Sequence, residues 1–394
     1  MSKPIELEEA IELLMKHQPK QKTSRCSLEE ALHHRLAKDL YAPIDVPMFN
    51  RSAMDGYAVC ASLTKGAVND RPIVLKVAKE ILAGISEREV IDHQYAVRIM
   101  TGAPIPDGFD AVIRQEDTNQ GEEWVEIHTE VATDTNYGKR GEDIQKGDLL
   151  IKKGTMLTPI HLGIIASVGL NEVEVLKPLS IGFISVGSEL ALAGEALQYG
   201  QIYNSNLTIL VSRLKELNVQ VAFTYQLPDE FEVISTVIKE QIDEVDLLLT
   251  TGAVSVGKKD VMHDVIDELG AKRLFWRMNI QPGTPMLATT YQEKLILSLS
   301  GNPFAALTTF ELVVKPICGI DSVQKEGTLM TDFPKRSKRR RFVRGCYKDG
   351  QVFIPTSKHA SSVLSSLLGC NCLIDVPEGS PPLEKGTRVQ VVML

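Results

Sequence analysis

VDLLLTTGAVSVGKKDVMHDVIDEL, residues 245–269, runs from an unbroken apolar stretch through a glycine-rich turn into apolar positions at helical spacing. An apolar run without alternation is what a strand covered on both faces requires, and a strand–turn–helix order is one arm of a parallel crossover. The turn supplies Gly252, Gly257 and Lys258, three positions of a nucleotide P-loop. The next residue is Lys259, where that loop needs a Ser or Thr hydroxyl for Mg²⁺, so the stretch reads as another kind of anion-holding turn.

The same texture extends outward over 179–318: LSIGFISVG, LTILVSRLKEL, VQVAFTYQL, EFEVISTVIKEQI, VDLLLTTG, VMHDVIDEL, KLILSLSG and AALTTFELVVKPI alternate strand with helix. This predicts an α/β body on a parallel sheet, whose ligands sit beyond the carboxyl ends of the strands. On the N-terminal side, PIELEEAIELLMKH reads as a helix, and Ser27 with Glu30 forms a capping box that predicts a second one over SLEEALHHRLA. Residues 42–146 change to short β-rich runs broken by turns such as APIPDG and NYGKRGED, the mark of a separate β-rich domain. Thr158 and Pro159 open the short helix IHLGIIASVG. Beyond the α/β stretch, KRSKRRR at 335–341 reads as a solvated linker or exposed strand edge, and the remainder as a small β domain.

Bulk composition narrows the function. The chain has 394 residues, 43% hydrophobic and 24% charged, with a net charge of −8. That composition fits a multidomain globular protein and opposes a nucleic-acid binder held by bulk charge, so an anionic ligand needs local donors or a metal. No apolar run reaches membrane length and the Met-Ser-Lys-Pro start has no signal core, which makes a cytoplasmic location the expectation. Six scattered cysteines and eight histidines show no zinc or His-pair spacing, and no G-x-G-x-x-G follows a strand to indicate a nicotinamide enzyme.

The residues just past the four expected strands are Ser188-Glu189, Pro228-Asp229, GAVSVGKKD and Gly301-Asn302-Pro303. Asn302 and Pro303 suit the N-cap and first turn of a helix, Asp229 with Glu232 makes a capping box, and Asp260 can cap its own helix. Glu189 has no such structural role. Together, Glu189, Asp229 and Asp260 along one edge suggest oxygen coordination of Mg²⁺, which in turn holds phosphate oxygens.

Eight stretches in this order, SAMDGYAV, RIMTGAPIP, RGEDI, FISVGSEL, GQIYNSN, VSVGKKD, PGTP and SGNP, resemble the MoeA family of molybdopterin molybdenumtransferases, to which the molybdenum-cofactor domains of gephyrin and Cnx1 are related. The resemblance covers essentially the whole chain. It implies a molybdopterin-binding parallel-sheet α/β domain at 177–327 joined by an N-terminal helix at 1–24, a β-rich inserted domain at 42–142, a connecting domain from 25–41 and 143–176, and a C-terminal small β domain at 328–394. It further implies a homodimer supplied by a molybdopterin adenylyltransferase, with Mg²⁺ as cofactor and with molybdate and adenylated molybdopterin as substrates. In the family these meet in a cleft between the α/β domain of one subunit and the β-rich domain of the other, and AMP is released as molybdenum is inserted. Neither nucleic acid nor membrane is expected as a partner.

Matched position by position, the resemblance puts Asp55, Thr101, Asp143, Glu189, Asp229 and Asp260 at the acidic or hydroxyl positions of the family's active site, with Glu189, Asp229 and Asp260 as metal ligands. Ser52 and Arg140 lie in the same motifs, and Gly252, Ser255, Pro282, Asn302 and Pro303 match turns around the pterin pocket; Arg140 with backbone N–H groups is the expected molybdate receiver. This chain departs from the usual pattern by Gln281 and Thr284 in place of two lysines, and also at Ser188, Asn204, Ala253 and Ser300. Lys258, Lys259 and Arg277 are the nearby cations expected to compensate. The missing lysines leave open a second reading, a molybdopterin-binding scaffold without insertion activity.

Overall fold

The structure is a computed structural model that describes residues 3–84, 90–254, 261–355 and 360–394. It divides into two compact bodies, Met1–Lys22 with Lys177–Leu394, and Thr23–Leu176.

In the first body, strands β1 (Ser180–Val186), β2 (Gln220–Leu227), β3 (Leu247–Thr251), β4 (Lys272–Trp276), β5 (Leu287–Tyr291) and β6 (Lys294–Leu299) form one sheet in the order β2-β1-β3-β6-β5-β4. The four strands read from the sequence pair in parallel. The sheet is mixed rather than wholly parallel, however, because β5 and β4 extend it antiparallel from β6. Apolar runs without alternation are needed because successive residues enter different cores: Phe183, Leu249 and Leu297 pack on one face, Ile184, Leu248 and Ile296 on the other. Helices α1 (Leu7–Met15) and α2 (Ser205–Glu216) cover the first face, and α3 (Phe231–Gln241) with α4 (Val261–Glu268) the second. Helix α5 (Pro303–Thr309) follows β6 and continues through a π-helical turn, Phe310–Val314, into Lys315–Ile317.

The C-terminal part of this body is a small closed sheet. Strand β7 (Arg340–Lys348) pairs with Gln351–Phe353 on one side and Cys372–Val376 on the other, so the basic run ends in an interior strand rather than a linker or free edge. The short strand Ile280–Gln281 joins it in parallel, with Ile280 opposite Arg340 and Gln281 opposite Arg341. That pairing brings together residues 60 positions apart, a separation a local pattern cannot reveal.

In the second body, Gly56–Val59, Ile73–Ile81, Ala96–Ile99, Ala111–Arg114 and Trp124–Ile127 make a five-stranded sheet. At its chain ends, Thr23–Ser27 and Arg35–Leu36 flank Glu172–Leu176 and pack with helix Pro159–Ser167 around Leu157, Ile165 and Val173. The helix expected over SLEEALHHRLA is absent. The Ser27–Glu30 capping box does form, with the Ser27 hydroxyl donating to Glu30 Oε2 at 3.0 Å, but it closes only a turn. Strand pairing of Thr23–Ser27 and of Arg35–Leu36 with Glu172–Leu176 holds both flanks extended, and His33 at φ 64° reverses the chain between them, so tertiary pairing overrides helix propensity.

Candidate functional site

Three adjacent strand ends close on one another through glycines. Gly252 follows β3 at φ +90°, and a Cβ there would lie 2.1 Å from the Val186 carbonyl oxygen at the end of β1. Its N–H donates to the Leu299 carbonyl of β6 at 3.2 Å, and a Cβ on Gly301 would sit 3.5 Å from the Gly252 Cα. Only a residue without a side chain and tolerant of positive φ fits at 252. The result is a backbone-lined edge at the carboxyl ends of β1, β3 and β6, the place where open α/β sheets take ligands.

Two of the expected carboxylates stand there. Asp229, past β2, receives the Ser188 N–H on Oδ2 at 2.9 Å and returns its own N–H to the Ser188 hydroxyl at 3.1 Å. This replaces the expected capping box: the N-cap of α3 is Glu230, without a side-chain bond, because the Asp229 carboxyl is already engaged across the sheet end. Glu189 is exposed, and its Oε2 lies 2.8 Å from where a Gly187 Cβ would stand, so the glycine leaves room for the carboxylate beside β1. Asn204 caps α2 by accepting the Leu207 N–H at 3.1 Å, and Asn206 fixes the third strand end by donating Nδ2–H to the Gly301 carbonyl at 2.8 Å. Ser255, Lys258, Lys259 and Asp260 lie outside the described residues.

Beside this edge is a cavity of about 410 Å³, lined by the Gln281–Pro285 loop, Ser300, Asn302, β7 and Ser361 among others. Its described lining contains two arginines, Arg341 and Arg344, and no carboxylate. Arg344 is 1% exposed and stacked 3.8 Å from the Phe304 ring centre. It donates to the carbonyls of Val363 (2.8 Å) and Ala360 (2.9 Å) and to the Ser366 hydroxyl, all neutral acceptors. Burial pushes its pKa down from the ordinary guanidinium value. Asn302 is the N-cap of α5 in position, and Pro303 its first residue, but the Asn302 side chain makes no cap bond. Pro282 follows a cis peptide bond and Gly283, at φ +101°, takes the loop past Thr309.

In the Thr23–Leu176 body, Asp55 Oδ1 accepts both the backbone N–H and the hydroxyl of Thr101, each at 2.7 Å. These bonds, the backbone one foremost, hold its carboxyl below the usual range. The buried Ser52 ties the turn before it by donating to the Met54 carbonyl at 2.5 Å, and Gly102 N–H donates to the Ser52 carbonyl at 2.8 Å. Ser52 and Thr101 line a pocket of about 370 Å³ with Arg51, Tyr137 and Glu142. Arg140 is exposed, and its Nε donates to Asp45 at 2.6 Å, so the charge expected to receive an oxyanion already faces a carboxylate. Asp143 is exposed next to it, with its N–H donating to the Val46 carbonyl.

Comparison with known proteins agrees with these motifs. Residues 5–169 match the MoeA N-terminal region (domain I and II), 182–319 the probable molybdopterin binding domain, and 326–394 the MoeA C-terminal region (domain IV). A molybdopterin molybdenumtransferase of Bacillus subtilis (strain 168) is 36% identical, covering 99% of this chain and 94% of its own. The chain belongs to the MoeA family of molybdopterin molybdenumtransferases. A second member, from Staphylococcus aureus (strain COL), is 33% identical over 99% of this chain and 96% of its own. The crystal structure of a molybdopterin biosynthesis moea protein from Pyrococcus horikosii superposes with a TM-score of 0.90 at 29% identity, covering 99% of both chains.

Within this MoeA-family chain the sequence reading missed Arg341 and Arg344. The signal was present for one of them: an arginine inside the otherwise apolar FVRGC of a strand must either be paired or serve a ligand. Arg277, expected to compensate for the missing lysines, has its guanidinium 4.0 Å from the Trp276 ring centre.

Proposed function

We propose that the chain inserts molybdenum from molybdate into adenylated molybdopterin, with Mg²⁺-dependent release of AMP. The observation that carries the reading is the 410 Å³ cavity, which gathers two arginines and no carboxylate in its described lining. In a chain of net charge −8, that local excess of positive charge is what captures a dianionic oxyanion such as molybdate. The hydroxyl of Ser361 and the amide of Asn302 add uncharged hydrogen-bond partners on the same wall.

Mg²⁺ binds oxygen through one or two carboxylates plus substrate phosphates rather than through a full protein cage. Glu189 and Asp229 fit that donor set, although no group of three or more metal-ligating side chains occurs among the described residues. Bound there, Mg²⁺ would neutralise phosphate charge on the adenylated substrate. Gly252 and Gly301 let the strand ends close on one another, and the pterin phosphate is assigned to the turns that follow them. Asp260 and Ser255 are assigned to the same edge from the motif, and Asp55, Thr101 and Asp143 to the reaction. Asp55 enters it as an anion, fixed by Thr101. On this reading the protein is a cytoplasmic homodimer that receives its substrate from a molybdopterin adenylyltransferase. Among the described residues no helix is long and apolar enough to cross a membrane.

The deciding experiment mixes protein, adenylated molybdopterin, molybdate and Mg²⁺ and follows AMP release together with cofactor formation. Coupled turnover is expected, with Glu189→Gln and Asp229→Asn slowed and demanding more Mg²⁺. Tight pterin binding without turnover would instead make the chain a scaffold.

A further inference from the structure

Resting on the assignment of the 410 Å³ cavity to an oxyanion, we propose that Arg341 is the cation that contacts the anion directly, positioned for it by Gln281, with Arg339 supporting the same wall. The end of the basic run, Arg339 and Arg341, thus becomes part of the binding machinery, while Arg336 faces solvent away from it.

Three consecutive arginines run into β7, Arg339 just before it and Arg340 and Arg341 as its first two residues, and alternation along the extended chain separates them. Arg340 is turned to acidic partners, donating Nε–H to Asp375 at 2.9 Å and Nη2–H at 2.6 Å, and Nη1–H to Glu8. Arg339 and Arg341 are directed instead to the Pro-Gly loop. Arg341 donates Nη2–H to the Gln281 side-chain oxygen at 2.8 Å, and Arg339 reaches the Thr284 hydroxyl at 3.5 Å. Both loop partners are neutral, so these bonds orient the guanidinium groups without cancelling their charge.

The Nε of Arg341 is buried and has no hydrogen-bond partner among the described residues. A desolvated N–H on a cation is costly to leave unmet and marks a missing acceptor. The guanidinium lies 5.8 Å from the Phe333 ring centre, which limits its swing. Because Ile280–Gln281 pairs with Arg340–Arg341 in register, the loop amide and the strand guanidinium are placed by backbone hydrogen bonding. A planar fork held in this way suits two oxygens of a tetrahedral oxyanion. The charge comes from the strand, and the loop contributes aim.

The test is calorimetric binding of molybdate, with tungstate and sulfate as parallel probes, to the full chain. Arg341→Gln should weaken molybdate on the order of tenfold to a hundredfold. The exposed Arg336→Gln, which removes the same charge from the same run, should change nothing. Adding Gln281→Lys to Arg341→Gln returns a cation from the opposite wall and should recover most of the lost affinity, an outcome that a purely structural role for Arg341 would not give. Arg341→Lys, which keeps the charge but loses the fork, should fall between. Equal affinity in wild type and Arg341→Gln would overturn the inference while leaving the cavity assignment standing. Absence of oxyanion binding by wild type would overturn both.

Discussion

Substituting Gly252 with alanine should loosen the whole edge at which β1, β3 and β6 end. The new Cβ would stand 2.1 Å from the Val186 carbonyl oxygen, more than 1 Å inside ordinary contact, and would have to adopt φ +90°. A left-handed conformation costs an L-residue about 1–2 kcal/mol, and forced repacking about 1–3 kcal/mol, giving a loss of roughly 2–5 kcal/mol. The two tryptophans allow this to be read locally, because Trp276 lies in β4 of the same body and Trp124 in the other body. In a Trp124→Phe background, urea unfolding followed by Trp276 fluorescence should show the midpoint falling by about 0.7–2.5 M, for a slope near 2–3 kcal/mol/M. Gly252→Asn separates the two causes. Asparagine tolerates positive φ but carries the same Cβ, so it should remain close to alanine if the contact with Val186 dominates. An alanine variant whose midpoint lies within about 0.2 M of its parent would refute the account, since the backbone would then not be pinned beneath Val186.

Thr101→Val should raise the Asp55 pKa toward the ordinary carboxylate value in a ¹³C NMR titration, leaving it partly lowered because the backbone N–H bond, the larger cause, survives. A carboxyl depressed in the folded state stabilises the protein above its unfolded pKa and loses that contribution as pH falls through the folded value, so the stability gap between wild type and variant should close on acidification. Glu311 is fully buried against Arg213 Nε at 2.6 Å and Lys315 Nζ at 3.5 Å. Glu311→Ala removes the buried anion beside Lys315 and leaves Arg213 only Glu216, 2.8 Å away; it should cost about 3–5 kcal/mol in the Trp276 assay, whereas a near-neutral effect would show the cluster to be relaxed by solvent. Burial pushes the thiols of Cys318 and Cys372 up to about 12. Alkylation at pH 8 followed by peptide mapping should therefore spare both, and rapid labelling of either would mean that its surroundings open.

What could be read from the sequence follows from the range of the interactions involved. LSIGFISVG, VDLLLTTG and KLILSLSG announce themselves because a strand covered on both faces needs apolar residues at every step, and these three supply residues alternately to two cores. KRLFW and LATTY were missed because the first carries two exposed cations and the second two threonines before its final tyrosine, so neither has the unbroken apolar character of its neighbours. SLEEALHHRLA misled because its local signal is real: the capping bonds exist, but two strand pairings outweigh a single turn. The Glu189 and Asp229 edge was legible from strand-end position alone, while the arginine cavity was not, since it depends on residues 280–281 pairing with 340–341.

On the proposed reading, that last dependence explains how an anion site would tolerate neutral residues at 281 and 284. A bound oxyanion responds to where charge lies in space and to how far it is desolvated, not to the chain segment that carries it. Parallel pairing of Ile280–Gln281 with Arg340–Arg341 makes the loop and β7 two sides of one wall, so a cation supplied from the strand serves the same volume as one supplied from the loop. The alternation that turns Arg340 toward Asp375 also keeps that carboxylate engaged outside the described cavity lining. Carboxylates for Mg²⁺ and guanidinium groups for the oxyanion would cancel if they were mixed. On the proposed assignment they occupy different surroundings that adjoin at 300–302, where Ser300 and Asn302 line the cavity and Gly301 lies against Gly252 at the sheet edge. A ligand with a phosphate at one end and a metal-accepting group at the other would have to pass over this joint, and a glycine at 301 leaves no side chain in its way.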